Sequence, residues 1–325
     1  MTELAVKVGR KINGYFKNNP KNDKLDPNKF NKKILTAEKG NDLIKSLLYS
    51  QQPCMITRYG NVELNTIINY LEIKELKEKN RISKLYSEIN WKNKDWSLGT
   101  LMTIKNNAGV FPTSPEILTA FSEIYIKDSG IIDALGVWYN YGENIMHSSY
   151  FPNADLFPLL SIEPYYFESP WSECLLNKKV LVIHPFSKSI EKQFNNKMNL
   201  FKNPNILPEF ELITLKAHQS NAGNEINFDT WIEALEDLKD KINQTNFDIA
   251  LIGAGAYGLP LAAHVKRMGK QAIHFGGSLQ ILFGIKGTRW DANPEVNKFY
   301  NKYWVRPLPE ETPIEFRSVE GGCYW

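Results

Sequence analysis

Phe247 to Trp290 reads FDIALIGAGAYGLPLAAHVKRMGKQAIHFGGSLQILFGIKGTRW. Asp248 to Ile252 is a short apolar run of strand type. Gly253, Gly255 and Gly258 then give G-x-G-x-x-G where a helix would begin, and Gln271 to Phe275 reads as a second strand. A second glycine turn, Gly276-Gly277-Ser278, precedes a helical run at Leu279 to Phe283. Glycines let the backbone pass close to a phosphate. A helix start adds unpaired N–H groups and a partial positive charge, which together suit a phosphate or diphosphate.

Upstream, the pattern is regular. Lys179 to His184 reads as a strand, Ser187 to Phe201 as a helix, Glu211 to Lys216 as a strand and Phe228 to Asn243 as a helix. Strands alternating with helices of about 10 to 15 residues indicate βαβ units and a parallel sheet. Right-handed crossovers bring the loops after His184, Lys216, Ile252 and Phe275 to one edge. Three of those loops suit anions: HPFSKS with Ser187, Lys188 and Ser189, the GAGAYG turn, and HFGGS. Lys286 and Arg289 follow within one connection. The expected fold is α/β and Rossmann-like, a doubly wound, mostly parallel sheet with helices on both faces.

The first half adds a shorter unit. A helix from Ala37 to Gln51 leads to a strand, Cys54 to Arg58, which ends in RYGNVE before Leu64, Ile67, Ile68 and Leu71 recur at helical spacing. Glu63 then lies in a first helical turn at the sheet's carboxyl edge. It can favour the helix dipole, accept a bond from a ligand hydroxyl or hold a divalent ion. Arg58 can pair with Glu63 or with a phosphate. Lys77 to Asp95 is polar surface, Asp95 is an expected N-cap for Trp96 to Asn106, and Gly109 an expected stop. Glu116 to Tyr125 is helical and Ile131 to Trp138 a buried strand. The aromatic middle, with prolines 152, 158, 164 and 170, reads as an ordered irregular connection from Tyr150 to Ser172. One or two of its rings can stack on a sugar or base.

Composition excludes several classes. The 325 residues, 42% hydrophobic, suffice for a full core. A net charge of +3 does not mark a nucleic-acid binder. Cys54, Cys174 and Cys323 are far apart and odd in number, which fits neither a disulfide framework nor a clustered metal site and points to a reducing cytoplasm. No signal peptide is visible, and the longest uncharged run, Ile249 to Val265, is broken by glycines and Pro260 and stops short of a membrane span. Residues 1 to 34 hold nine Lys or Arg against three acids. Leu4, Val8 and Ile12 recur at helical spacing there, so a solvated basic tail or an amphipathic helix at the inner membrane face is expected, with Asn18 to Asn31 as linker and residues 35 to 325 as one domain.

The ligand is narrowed by what is missing. A dinucleotide fingerprint expects an acid near the end of the second strand to hold the ribose, and after Phe275 there is none. His274 and Ser278 are weak substitutes. There is no G-x-S-x-G, and His147, His184, His218, His264 and His274 show no zinc spacing. His184 and His274, at strand ends, are the better histidine candidates.

The pairing of RYGNVE with DIALIGAGAYGLPLAAHVKRMGKQAIH resembles bacterial glycosyltransferases of the GT-D fold, in a related branch. The resemblance covers about 60 residues in two blocks. It implies a single Rossmann-like domain, a nucleotide-sugar donor, and an Asp-x-Glu motif behind an Arg-aromatic-Gly triplet that places the donor and its divalent ion. Arg58, Tyr59, Gly60 and Glu63 match, but Asn61 stands where the family has Asp. An amide oxygen ligates a hard cation without charge, so a Mn²⁺ or Mg²⁺ site at Asn61 and Glu63 is expected to be weak. The expected activity is sugar transfer to a glycan or lipid-linked acceptor. Arg58, Gly60, Gly253, Gly255, Tyr257, Gly258, His274, Gly276, Gly277, Ser278, Lys286 and Arg289 would hold the donor, and Glu63, His184 or Glu143 would act as base. An NAD(P)-dependent oxidoreductase and a non-catalytic nucleotide-sugar-binding protein share the same glycine turns.

Overall fold

A computed structural model describes residues 25–83, 96–221, 224 and 226–325. Among them, seven strands form one sheet in the order β3-β2-β1-β7-β6-β4-β5, all parallel. The strands are β1 (Cys54–Thr57), β2 (Ala134–Val137), β3 (Asp155–Pro158), β4 (Lys179–His184), β5 (Glu211–Lys216), β6 (Ile249–Ile252) and β7 (Gln271–His274). Helices α1 (Ala37–Tyr49), α2 (Asn61–Ser83), α3 (Leu98–Thr103), α4 (Pro115–Ser129), α5 (Glu143–Tyr150), α6 (Ser187–Phe194), α7 (Trp231–Asn243), α8 (Gly258–Arg267) and α9 (Leu279–Leu282) cover it. The Rossmann-like α/β architecture expected from the alternating pattern is therefore the one observed.

Strand residues alternate between two cores, as a sheet buried on both faces requires. Met55, Leu181, Ala250 and Ala272 pack with α2, α4, α7 and α8. Ile56, Val182, Leu251 and Ile273 pack with α1, α6, α9 and the C-terminal segment. Local chemistry starts the helices. Thr36 caps α1 by accepting from the Lys39 amide, and Thr230 caps α7 through the Glu233 amide. Ser97, not Asp95, caps α3; Asp95 and the polar run before it lie outside the described residues. α3 continues as a wider turn to Ala108 and stops at Gly109, whose φ of +73° suits glycine.

Three sequence expectations are corrected. The connection from Tyr150 to Ser172 contains β3, an edge strand of four residues whose signal is obscured by Pro158 at its end. The helix at Ser187 stops at Phe194, where the chain tightens into short turns. The linker ends by residue 24, because Leu25 and Phe30 are buried in the core and the Leu25 amide bonds Tyr139. The amphipathic reading of the first residues lies outside the described residues. Among those described, no helix is long and apolar enough to cross a membrane, and the three cysteines are buried and unpaired.

Candidate functional site at the carboxyl edge of the sheet

β5 lies on one side of β4 and β6 on the other, so the crossovers diverge between β4 and β6. Open α/β sheets bind ligands at such a point, outside the carboxyl ends of the strands. A cavity of about 80 Å³ lies there, lined by His184, Gly253, Gly255, Tyr257, Ser220 and Gly277, with Tyr324 and Trp325 of the C-terminal segment.

The first glycine turn divides its labour. A Cβ on Gly253 would stand 2.7 Å from His184 Cδ2 and 2.8 Å from the Gly276 carbonyl oxygen, so the loops after β4, β6 and β7 converge on it. A Cβ on Gly258 would overlap the His274 ring, which allows α8 to lie close on β7. Gly255 alone faces open space. Its φ is +52° and its nearest neighbour for a Cβ is the Ala108 carbonyl at 4.0 Å. That leaves bare backbone where a ligand can approach.

Both glycines of the second turn are met by a side chain from a distant segment. Arg58 Nη1 would lie 2.5 Å from a Cβ on Gly276, itself at φ +72°, and the Tyr324 ring covers Gly277. Glu163, in the turn after β3, is half-buried. Burial pushes Glu163 up to about 7, while Ser278 and Arg58 pull it the other way. Arg58 donates from Nε to the Tyr59 carbonyl at 3.0 Å and stacks 4.7 Å over the half-exposed Trp138 ring. Among the described residues it has no ion-pair partner.

Glu63 folds back over Gly60, where only a glycine leaves room for the carboxylate. Burial raises its pKa; its own amide and Arg58 lower it. Asn61 is exposed and its Oδ1 accepts from Asn65. The pair therefore offers one carboxylate turned inward and one amide turned outward. Among the described residues no three His, Cys, Asp or Glu gather as a metal cluster. These side chains as placed do not build a divalent-ion site, and no step below is routed through one.

Several candidates are held for structure. Glu143 is fully buried and accepts from the Trp138 and Asn140 amides, which makes it an anchor of the turn after β2. His274 is locked between Thr57 Oγ1, 3.0 Å from Nδ1, and Gly258; burial holds its pKa near 3. His184 accepts from the Phe186 amide at Nδ1, 3.0 Å, so Nε2 carries the proton, and burial lowers it to about 3 as well. It lines the cavity as a neutral donor rather than as a base. Tyr257 stacks on Trp231 and bonds Ser220 at 3.1 Å. Lys286 reaches the Tyr300 ring, and Arg289 pairs with Glu320 and covers Tyr324; both serve the C-terminal segment. The HPFSKS turn already holds an anion, since the Glu311 carboxylate accepts from the Lys188 amide at 2.8 Å, the Ser189 amide and the Ser189 hydroxyl.

The C-terminal segment closes the cavity. Glu320, Gly321 and Gly322 have φ values of +47°, +73° and +86°, and they carry Tyr324 onto Gly277. Buried Gln280 donates to the Tyr324 carbonyl at 3.0 Å, and Trp325 Nε1 to that of Glu311 at 3.1 Å. About 80 Å³ admits a phosphate. Pockets for larger ligands span roughly 300–1,000 Å³, so a nucleoside diphosphate would extend outward or displace Tyr324. No protein-family model matches the chain, and neither a curated protein nor a solved structure shows significant similarity to it.

Proposed function

We propose that the protein is a glycosyltransferase of GT-D type that holds a nucleoside-diphosphate sugar across the carboxyl edge and transfers the sugar to a glycan or lipid-linked acceptor. The observation that carries this reading is Arg58. Among the described residues its guanidinium has no ion pair, and it lies against the bare backbone of Gly276, in a turn that abuts Gly253 of the other glycine turn. That arrangement favours an anion with two charged groups. In sugar transfer the charge gathering on the departing diphosphate is what must be neutralised, and fixed donors in a water-poor site do so without reorganising. Arg58, the open backbone at Gly255 and the Nε2–H of His184 are those donors. Glu63, beside Arg58, orients the donor or takes the proton of the acceptor hydroxyl.

Thermal-shift measurements with uridine and guanosine diphosphates and their sugars, each with and without Mn²⁺, test the reading. Stabilisation by at least one of them in the wild type, lost in Arg58→Ala, is the expected result. No stabilisation by any, with a clear response to NADH, would replace it with the oxidoreductase reading.

A further inference from the structure

Beside the glycine-turn cavity lies a second one of about 550 Å³, bordered by the end of β5, Lys241 of α7 and residues 310–314 of the C-terminal segment. Its size is that of an ordinary ligand pocket. Among the described residues no Phe, Tyr or Trp lines it, so it lacks the stacking face that suits a nucleobase. Lys216, Gln219, Asn224, Lys241, Glu310 and Thr312 instead give it donors and acceptors suited to hydroxyls. His218 and Gln219 line both cavities and so form the partition between them.

The backbone sets His218 in that partition. The Ala217 amide extends the β5–β4 pairing by bonding the His184 carbonyl at 3.2 Å, and the Ser220 hydroxyl donates to the Gly109 carbonyl at 2.6 Å. The His218 ring stands edge-on to Phe228 at 4.9 Å and to Tyr257 at 6.4 Å. Its Nε2 lies 2.7 Å from Oδ2 of Asp237 on α7, which also accepts from Lys241 at 2.6 Å. A carboxylate only accepts, so Nε2 carries the proton and the neutral ring keeps a lone pair at Nδ1, where no bond is made among the described residues. His184 has no such freedom, since its Nδ1 is filled by the Phe186 amide. A carboxylate that fixes the tautomer and orientation of an imidazole is how a histidine base is aimed.

We propose that the larger cavity holds the hydroxylated acceptor and that His218, oriented by Asp237, is the base that takes its proton, a role that rests on the sugar-transfer reading above. The acceptor O–H gives its proton to His218 Nδ1 while its oxygen bonds the anomeric carbon of the donor. The bond from that carbon to the diphosphate oxygen breaks, and its electron pair leaves with the diphosphate. Asp237 stabilises the imidazolium, which returns the proton to water through the open cavity. Glu63 then keeps the task of orienting the donor.

Calorimetric binding and release of nucleoside diphosphate, measured on the full chain with UDP-glucose, UDP-galactose and GDP-mannose, test it, with water and methyl glucoside as acceptors. The wild type should turn over at least one donor that it binds. His218→Ala should lower turnover about 100-fold, leave donor affinity unchanged and regain part of its rate with added imidazole. Asp237→Asn, which keeps the ring and serves if His218→Ala does not fold, should also lower turnover with donor affinity intact. Turnover in His218→Ala as fast as in the wild type, or a loss that imidazole leaves untouched, overturns the base while the donor site stands. Loss of donor affinity together with turnover in both variants overturns it as a purely architectural effect. A donor that binds the wild type and never yields free diphosphate overturns it too. Wild-type binding of none of the three donors removes the nucleotide-sugar reading itself, and the base with it.

Discussion

The turn after β6 and the turn after β7 lie on neighbouring strands, are both rich in glycine, and differ in what surrounds them. Around Gly253 and Gly258 the neighbours are the backbone and two buried histidines, His184 and His274. Around Gly276 and Gly277 they are Arg58 and Tyr324, side chains from two separate segments. The first turn is built to stay. The second is assembled from side chains that distant segments bring to it.

The strongest way to break this contrast is to add one methyl group to each turn. Gly258→Ala drives a Cβ into His274, whose ring is pinned by Thr57; about 3 kcal/mol of stability should be lost in urea unfolding. A loss near zero would show that β7 and α8 can slide apart.

The second test is pH. His184 and His274 have folded pKa values near 3 against about 6.5 unfolded. Their stabilising contribution is complete above about pH 6.5 and is lost as pH falls, because the unfolded chain takes up protons the folded one refuses. From pH 7.5 to 5 the pair should cost about 4 kcal/mol. Glu163, raised to about 7, acts in the opposite direction: over the same interval the folded state binds the extra proton and regains roughly 2 kcal/mol. The acid loss in Glu163→Gln should therefore be steeper than in the wild type by about that amount, read by urea unfolding at the two pH values. Parallel pH profiles would place the Glu163 carboxyl in contact with water and not in a buried setting.

The smallest effect is expected at Gly277→Ala. Its Cβ also overlaps a ring, that of Tyr324, but this ring sits on a segment preceded by three residues of positive φ. The segment can shift, so the cost should stay below about 1 kcal/mol. A penalty as large as at Gly258 would mean that the C-terminal segment is as fixed as the histidines.

The same contrast explains what the sequence disclosed. The first turn was legible because its determinants are local: an apolar run, spaced glycines and a helix within twenty residues. The RYG triplet was legible as a strand end, and Arg58 does reach the edge. Tyr324 and Glu311 were not, since each acts on residues more than forty positions away and neither stands in a motif. Glu143, at the start of α5, and His274, at the end of β7, show the complementary case, each held by protein contacts that no motif announces. Polar residues at strand ends serve turns and packing as readily as ligands, and only the geometry around Trp138 and Gly258 tells which. β3 was hidden because a four-residue edge strand that ends in proline carries too little periodicity to register.

That edge strand has a further consequence. Ile34 bridges Leu156 in parallel, and the Leu35 amide bonds the Leu156 carbonyl at 2.8 Å. Leu25 and Phe30 anchor the approach. The stretch just before α1 is thus a selvedge, stitched to the outermost strand at Leu156 in its middle. An unsealed edge would invite a strand from another molecule; on the β3 side the chain has supplied a pairing of its own, in miniature, which leaves β5 as the longer edge of the sheet.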